Sequence, residues 1–191
     1  MLDPELLLAA YAQGIFPMAV NARGQLGWFS PDPRALIPLD ERFHVPHGLR
    51  RALNKGRFTI TVDQDFEGVI RACAQSHGKT WISPEIRRGY TELHRAGHAH
   101  SVEARLEGRL VGGLYGVRLG AAFFGESMFH WETDASKVAL VALVERLRAG
   151  GFRLLDTQWT TPHLERFGAF EMPKADYLKI LRAAVKQPAV F

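Results

Sequence analysis

The sequence has one cysteine, Cys73, among 191 residues, so no internal disulfide can form, and this fits a reducing compartment. No apolar run approaches the roughly 20 residues of a membrane span. The N-terminal run Leu6 to Ala10 is short and follows Asp3 and Glu5, whereas a secretory leader starts with positive charge. A soluble, cytoplasmic protein is expected. There is no internal repeat and no low-complexity segment. The eight histidines give no set of metal ligands. His98 and His100 flank Ala99, and an isolated pair is far short of a site, so neither a metal nor another cofactor is expected.

What is present is ordinary for a globular chain: 47% hydrophobic and 23% charged residues, which exclude wholesale disorder, a coiled coil or a fibre. The length suffices to bury a core without staples. A net charge of +4 and a pI near 9.5 permit an anionic partner without demanding one.

Residues 1–40 are rich in glycine and proline and carry Phe16, Trp28 and Phe29; they read as a short helix over 4–13 followed by an irregular aromatic segment. From residue 41 to 185 the elements are regular, and 186–191 reads as a loose tail. Strand alternation over 58–62 gives way to helical spacing over 66–74. Ser83-Pro84 starts a helix that stops at Gly97. A hairpin of 100–106 and 110–117 leads through a turn into a strand over 121–129. A largely apolar helix over 135–149, capped by Thr133 or Asp134, connects to a strand over 152–157, and this order predicts two parallel strands. Helices over 162–167 and 175–185 complete an α+β fold with a mixed sheet and flanking helices.

Side chains two apart on a strand share a face, which groups Glu126 with Met128 and Asp156 with Gln158. If the two strands are parallel neighbours, Glu126, Asp156 and Gln158 form one polar cluster beyond their carboxyl ends, where ligands gather. The alternative is structural: Glu126 capping a turn and Asp156 bonding backbone. Two acids and an amide at the centre of a sheet are costly for stability alone. The strand, hairpin and crossover order resembles an acyl-CoA N-acyltransferase core. The segment before its central helix, Phe129 to Asp134, lacks glycine and holds two acids, which disfavours a pyrophosphate. Cys73 reads as a small core residue. Arg50, Arg51, Lys55 and Arg57 form the densest basic run, either a solvated face or a phosphate-tracking patch.

Several stretches closely resemble the leucyl/phenylalanyl-tRNA–protein transferases: Tyr11-Ala-Gln-Gly-Ile-Phe-Pro17, Trp28-Phe-Ser-Pro-Asp-Pro-Arg34, Gly78-Lys-Thr-Trp-Ile-Ser-Pro-Glu85 and His100-Ser-Val-Glu103. Val111-Gly-Gly-Leu-Tyr-Gly116, Phe124-Gly-Glu-Ser-Met-Phe129, Ala135-Ser-Lys-Val-Ala-Leu140, Asp156-Thr-Gln158 and Pro162-His163-Leu164 continue the match in order. The chain departs from the family at His130, where serine is usual, at His98, where tyrosine is common, and at Thr157, where cysteine is common.

The resemblance implies transfer of leucine or phenylalanine, and less well methionine, from aminoacyl-tRNA to proteins with N-terminal lysine or arginine, marking them for degradation. It also implies the acyltransferase-like fold over 41–185, without a cofactor. Asp156 would orient Gln158 at the reacting groups, and Glu126 would help hold the basic acceptor. Trp28, Trp81, Leu114, Met128, Leu143 and Leu155 would surround the transferred side chain. Arg50, Arg51, Lys55 and Arg57 would meet tRNA. A CoA-dependent N-acetyltransferase and a non-catalytic RNA-binding module are the competing functions.

Overall fold

A computed structural model describes residues 2–21, 23–76 and 80–191. The motif residues Gly78 and Lys79 lie outside the described residues.

Asp3 accepts the Glu5 N–H and caps α1 (Pro4–Tyr11). Two short strands, β1 (Phe16–Ala19) and β2 (Leu26–Phe29), pair as an antiparallel ribbon. The chain then enters the main sheet at β3 (Arg34–Ile37), inside the segment that composition reads as irregular. Next come α2 (His47–Asn54), β4 (Thr59–Val62), α3 (Phe66–Ser76) and α4 (Pro84–Arg95). Ser83 caps α4 as its sequence predicts, accepting from the Ile86 N–H. A meander of β5 (Ala99–Leu106), β6 (Arg109–Leu119) and β7 (Ala122–His130) leads into α5 (Ala135–Ala149) and β8 (Leu154–Gln158). Short α6 (Pro162–Glu165), β9 (Phe170–Met172) and α7 (Lys174–Ala184) follow.

The seven strands run in the order β4-β5-β6-β7-β8-β3-β9, with β7 and β8 parallel and every other neighbouring pair antiparallel. Thus the expected α+β mixed sheet is present, and α5 joins its two parallel strands. Alternation along the strands feeds two cores. Tyr115, Phe124 and Leu154 pack in one with α1, α3, α4 and α7; Leu114, Phe123 and Leu155 pack in the other with α2, α5 and α6. Both faces of the sheet are therefore covered, as the near-continuous apolar runs of β6 and β7 require. Close approach of α5 depends on Gly112: a Cβ there would fall 2.4 Å from the Ala135 Cβ. Asp134 occupies the N-cap of α5, but its carboxylate bonds Lys137 at 2.7 Å and makes no capping bond.

The expected loose tail is packed instead. Val190 donates its N–H to Gly150, Ala189 is buried, and the Phe191 ring stacks on His100 and Phe123. Ala189 and Phe191 find cover that composition alone does not reveal. No described helix is long and apolar enough to cross a membrane.

Candidate active site

The parallel strands β7 and β8 pair only over Ala122–Phe124 and Leu154–Asp156. Beyond that point they part, and Gln158 instead pairs with Ala35 of β3. The opening holds a cavity of about 590 Å³. Leu114, Met128, Leu140, Leu143, Leu155 and Leu164 give it an apolar wall, while Glu126 and Gln158 stand on its strand side. Such a pocket, mostly apolar with a few converging polar groups at diverging strand ends, is the usual form of a ligand site.

Glu126 reaches this position through a β-bulge. Tyr115 pairs with Ser127 and Gly116 with Gly125, which leaves Glu126 as the extra residue of β7. The expected common face for Glu126 and Met128 is therefore not found. Met128 packs with the second core, whereas Glu126 meets tyrosines from the opposite face. Tyr11 of α1 donates to Glu126 Oε1 at 2.7 Å, Tyr90 of α4 donates to Oε2 at 3.3 Å, and the two hydroxyls lie 2.5 Å apart. Burial, followed by the charge of Glu126, pushes both phenols well above their usual range, so they remain neutral donors. The Glu126 carboxyl is itself pushed up to about 7, chiefly by burial. Hydrogen bonds from Tyr11 and Tyr90 and the charge of Arg34 pull it down, and nearby Asp156 pushes it further up.

Asp156 does not line the cavity. It is fully buried and accepts from Arg34 Nε at 2.9 and 3.1 Å, from Arg34 Nη2 at 2.7 Å, and from the Tyr177 hydroxyl at 2.5 Å. Burial opposes the Arg34 charge, but the bonds and charge of Asp156 prevail and raise its pKa above the ordinary value. This corrects the expectation that Asp156 stands with Glu126 and Gln158 where ligands gather. Asp156 is neutralised by Arg34 and is closed to any acceptor side chain. It also meets Gln158 through the backbone, accepting the Gln158 N–H at 2.9 Å, not through the amide. Gln158 has a φ of 62°, which breaks strand alternation and turns its side chain toward Glu126; Nε2 donates to Oε1 over a long 3.5 Å.

Four of the six expected pocket positions line the cavity: Leu114, Met128, Leu143 and Leu155. Trp28 and Trp81 do not. Trp28 sits on the β1–β2 ribbon and is exposed, while Trp81 packs at the edge of the first core with its carbonyl accepting from Ala19. In the basic run, α2 buries Leu49 against the α5 side and presents Arg50 and Arg51 to solvent, with Lys55 just beyond its end. Arg57 is already paired with Glu132 at 2.8 Å. The helix α2 packs on α5, whose Leu140 and Leu143 wall the cavity. His130 is exposed at the cavity, near His163. Cys73 is buried and its thiol is pushed up to about 12 by burial, which leaves it inert. Among the described residues no group of three or more His, Cys, Asp or Glu is placed to hold a metal.

Sequence reasoning assigns no role to Arg34, Tyr11, Tyr90 or Tyr177. The available signal is indirect: two acids at the centre of a sheet require a cation and donors.

Known proteins resemble this chain along its length. A family model described as leucyl/phenylalanyl-tRNA protein transferase matches residues 36–182, and that of the family's N-terminal domain matches residues 1–32. The chain belongs to this family. It is 57% identical over 188 residues to the leucyl/phenylalanyl-tRNA–protein transferase of Akkermansia muciniphila, covering 97% of each chain. Identity is 55% over 190 residues to that of Herpetosiphon aurantiacus, covering 100% of this chain and 98% of the relative. It is again 55% over 188 residues to that of Salinibacter ruber, covering 98% and 82%. By shape, the chain aligns at TM-score 0.40 and 17% identity with a ribosomal-protein-alanine N-acetyltransferase from Brucella melitensis, covering 51% of this chain and 76% of that one. It aligns at TM-score 0.42 and 12% identity with the C-terminal domain of a putative lysylphosphatidylglycerol synthetase from Agrobacterium fabrum, covering 94% and 62%. As a leucyl/phenylalanyl-tRNA–protein transferase, the protein is an aminoacyltransferase that uses aminoacyl-tRNA and a protein acceptor.

Proposed function

We propose that the enzyme moves leucine or phenylalanine, and less well methionine, from aminoacyl-tRNA in the cytoplasm to proteins beginning with lysine or arginine, marking them for degradation. The observation that carries this reading is the apolar cavity with Glu126 and Gln158 together on one side. The transferred side chain fits against Leu114, Met128, Leu143 and Leu155. Glu126, once ionised, pairs with the basic acceptor side chain in a poorly solvated place where such a bond is strong.

The reaction is aminolysis of an ester. An α-amine has a pKa of roughly 7.7 to 8, so part of it is already neutral and needs no strong base. Gln158 donates through Nε2 to Glu126, leaving its carbonyl oxygen to accept an N–H of the amine. The amine nitrogen attacks the ester carbonyl carbon and a C–N bond forms. The C–O bond to the terminal ribose breaks, and the amine's surplus proton ends on the released ribose oxygen. The apolar wall keeps out water that would hydrolyse the same ester. A pocket of this kind separates side chains that differ by a methylene by only about 1–3 kcal/mol, so preference among leucine, phenylalanine and methionine is graded. An acetyl-CoA donor is disfavoured because the segment before α5, Phe129 to Asp134, has no glycine to bring backbone N–H groups around a pyrophosphate.

The test is transfer of labelled leucine from leucyl-tRNA to peptides beginning with arginine, lysine or alanine, with acetyl-CoA as a rival donor. Arginine and lysine peptides should be labelled and alanine peptides much less so. Acetylation, or equal labelling of all three, would reject the reading.

We also propose that Arg50 and Arg51 hold the tRNA body through phosphates. Each phosphate contact contributes about 0.9 to the slope of log affinity against log salt on a duplex. The double variant Arg50→Ala with Arg51→Ala should weaken tRNA binding and flatten that slope by roughly 2. An unchanged slope in a salt titration would remove this patch from the interface.

A further inference from the structure

Asp156 is wholly enclosed, so it cannot touch either substrate, yet it holds the residue that faces the cavity. Gln158 sits at φ 62° in the left-handed region, where a side chain other than glycine pays a conformational cost. The Gln158 N–H bond to Asp156 Oδ1 keeps it there. The direction of Oδ1 is in turn set by Arg34, whose Nε and Nη2 grip both carboxylate oxygens in a fork. Arg34 is itself fixed by a bond from Nη1 to the Gly14 carbonyl at 2.9 Å, with its guanidinium 5.1 Å from the Phe16 ring centre and 4.6 Å from that of Tyr177.

We infer that Arg34, assisted by Tyr177, is a positioning residue for aminoacyl transfer: through Asp156 it holds the Gln158 backbone in the left-handed turn that aims the amide at the cavity. The inference rests on the proposed role of Gln158. Charge neutralisation alone would be served by lysine, whereas orientation of the carboxylate needs the planar fork. The conservative change Arg34→Lys therefore separates the two. Tyr177→Phe removes one donor to Oδ2 and leaves the ion pair in place.

The experiment is a double-mutant cycle on leucine transfer to an arginine-initial peptide, with Arg34→Lys, Gln158→Ala and both together. Displacement of a positioned group by about 1 Å can cost up to two orders of magnitude, so Arg34→Lys should lower kcat at least about tenfold. KM for the peptide and affinity for aminoacyl-tRNA should stay within about twofold of wild type, and in the Gln158→Ala background Arg34→Lys should cause no further loss. The same fractional loss in both backgrounds would overturn the inference, as would a wild-type kcat for Arg34→Lys. Tyr177→Phe, run through the same cycle, carries the test where Arg34→Lys does not fold; its loss of about threefold should likewise vanish beside Gln158→Ala. A wild type that fails to transfer leucine rejects the proposed function itself. A wild type that transfers leucine, with additive losses in the cycle, rejects only the role of Arg34.

Discussion

Asp156→Ala should weaken the fold by about 3–5 kcal/mol, because it strands a buried guanidinium. Arg34 has no solvent exposure and would keep only the Gly14 carbonyl as a hydrogen-bond acceptor. The Tyr177 hydroxyl would lose its acceptor at the same time. In a chain of this size each kcal/mol moves Tm by roughly 2–4 °C, so the midpoint should fall on the order of 10 °C. Thermal unfolding followed by circular dichroism measures this directly, and a midpoint within about 2 °C of wild type would show that the pair is dispensable. Activity lost in Asp156→Ala consequently reports on folding first, and it says little about the chemistry.

Glu126→Gln should change how stability depends on pH. In the folded protein the Glu126 carboxyl is pushed up to about 7 by burial, from an ordinary value of 4.5. The folded state therefore binds this proton more tightly than the unfolded chain does. The advantage is complete below pH 4.5, falls as pH rises, and is gone above about 7. The whole change is about 3 kcal/mol, and a glutamine in its place has no such slope. The variant should therefore gain stability relative to wild type between pH 5 and pH 8, and parallel melting curves across that window would contradict the assignment. A second readout concerns specificity. Ionised Glu126 attracts a basic side chain, so wild-type preference for arginine over alanine peptides should grow as pH passes 7. That preference should be small and flat in Glu126→Gln. A rate ratio independent of pH in wild type would detach Glu126 from the acceptor.

Much of the fold is legible because long elements carry redundant signals. The Ser83-Pro84 start of α4, the apolar stretch of α5 and the alternation of β5 each agree with their neighbours. The N-terminal region is harder, since β1, β2 and β3 have only four residues each and sit among prolines and glycines. The strand β3 even buries an arginine, against every prior on where charge belongs. At the site, strand spacing groups Glu126, Asp156 and Gln158, yet it does not tell that Asp156 is enclosed while the other two line the cavity. A bulge at Glu126 and a left-handed Gln158 both break the period of two. Arg34 and the tyrosines escape notice because their importance lies in tertiary burial, which no local pattern records. The two tryptophans lie outside the cavity lining because Trp28 follows the ribbon outward and Trp81 packs on the first core.

The Tyr11 hydroxyl reaches across from the first helix to a carboxyl on the seventh strand of the chain. Residues 1–32 match a separate N-terminal module in the family, but they are electrically wired into the other one. A chimera that grafts another relative's module onto this body should thus also shift the acidity at which the Glu126 carboxyl ionises.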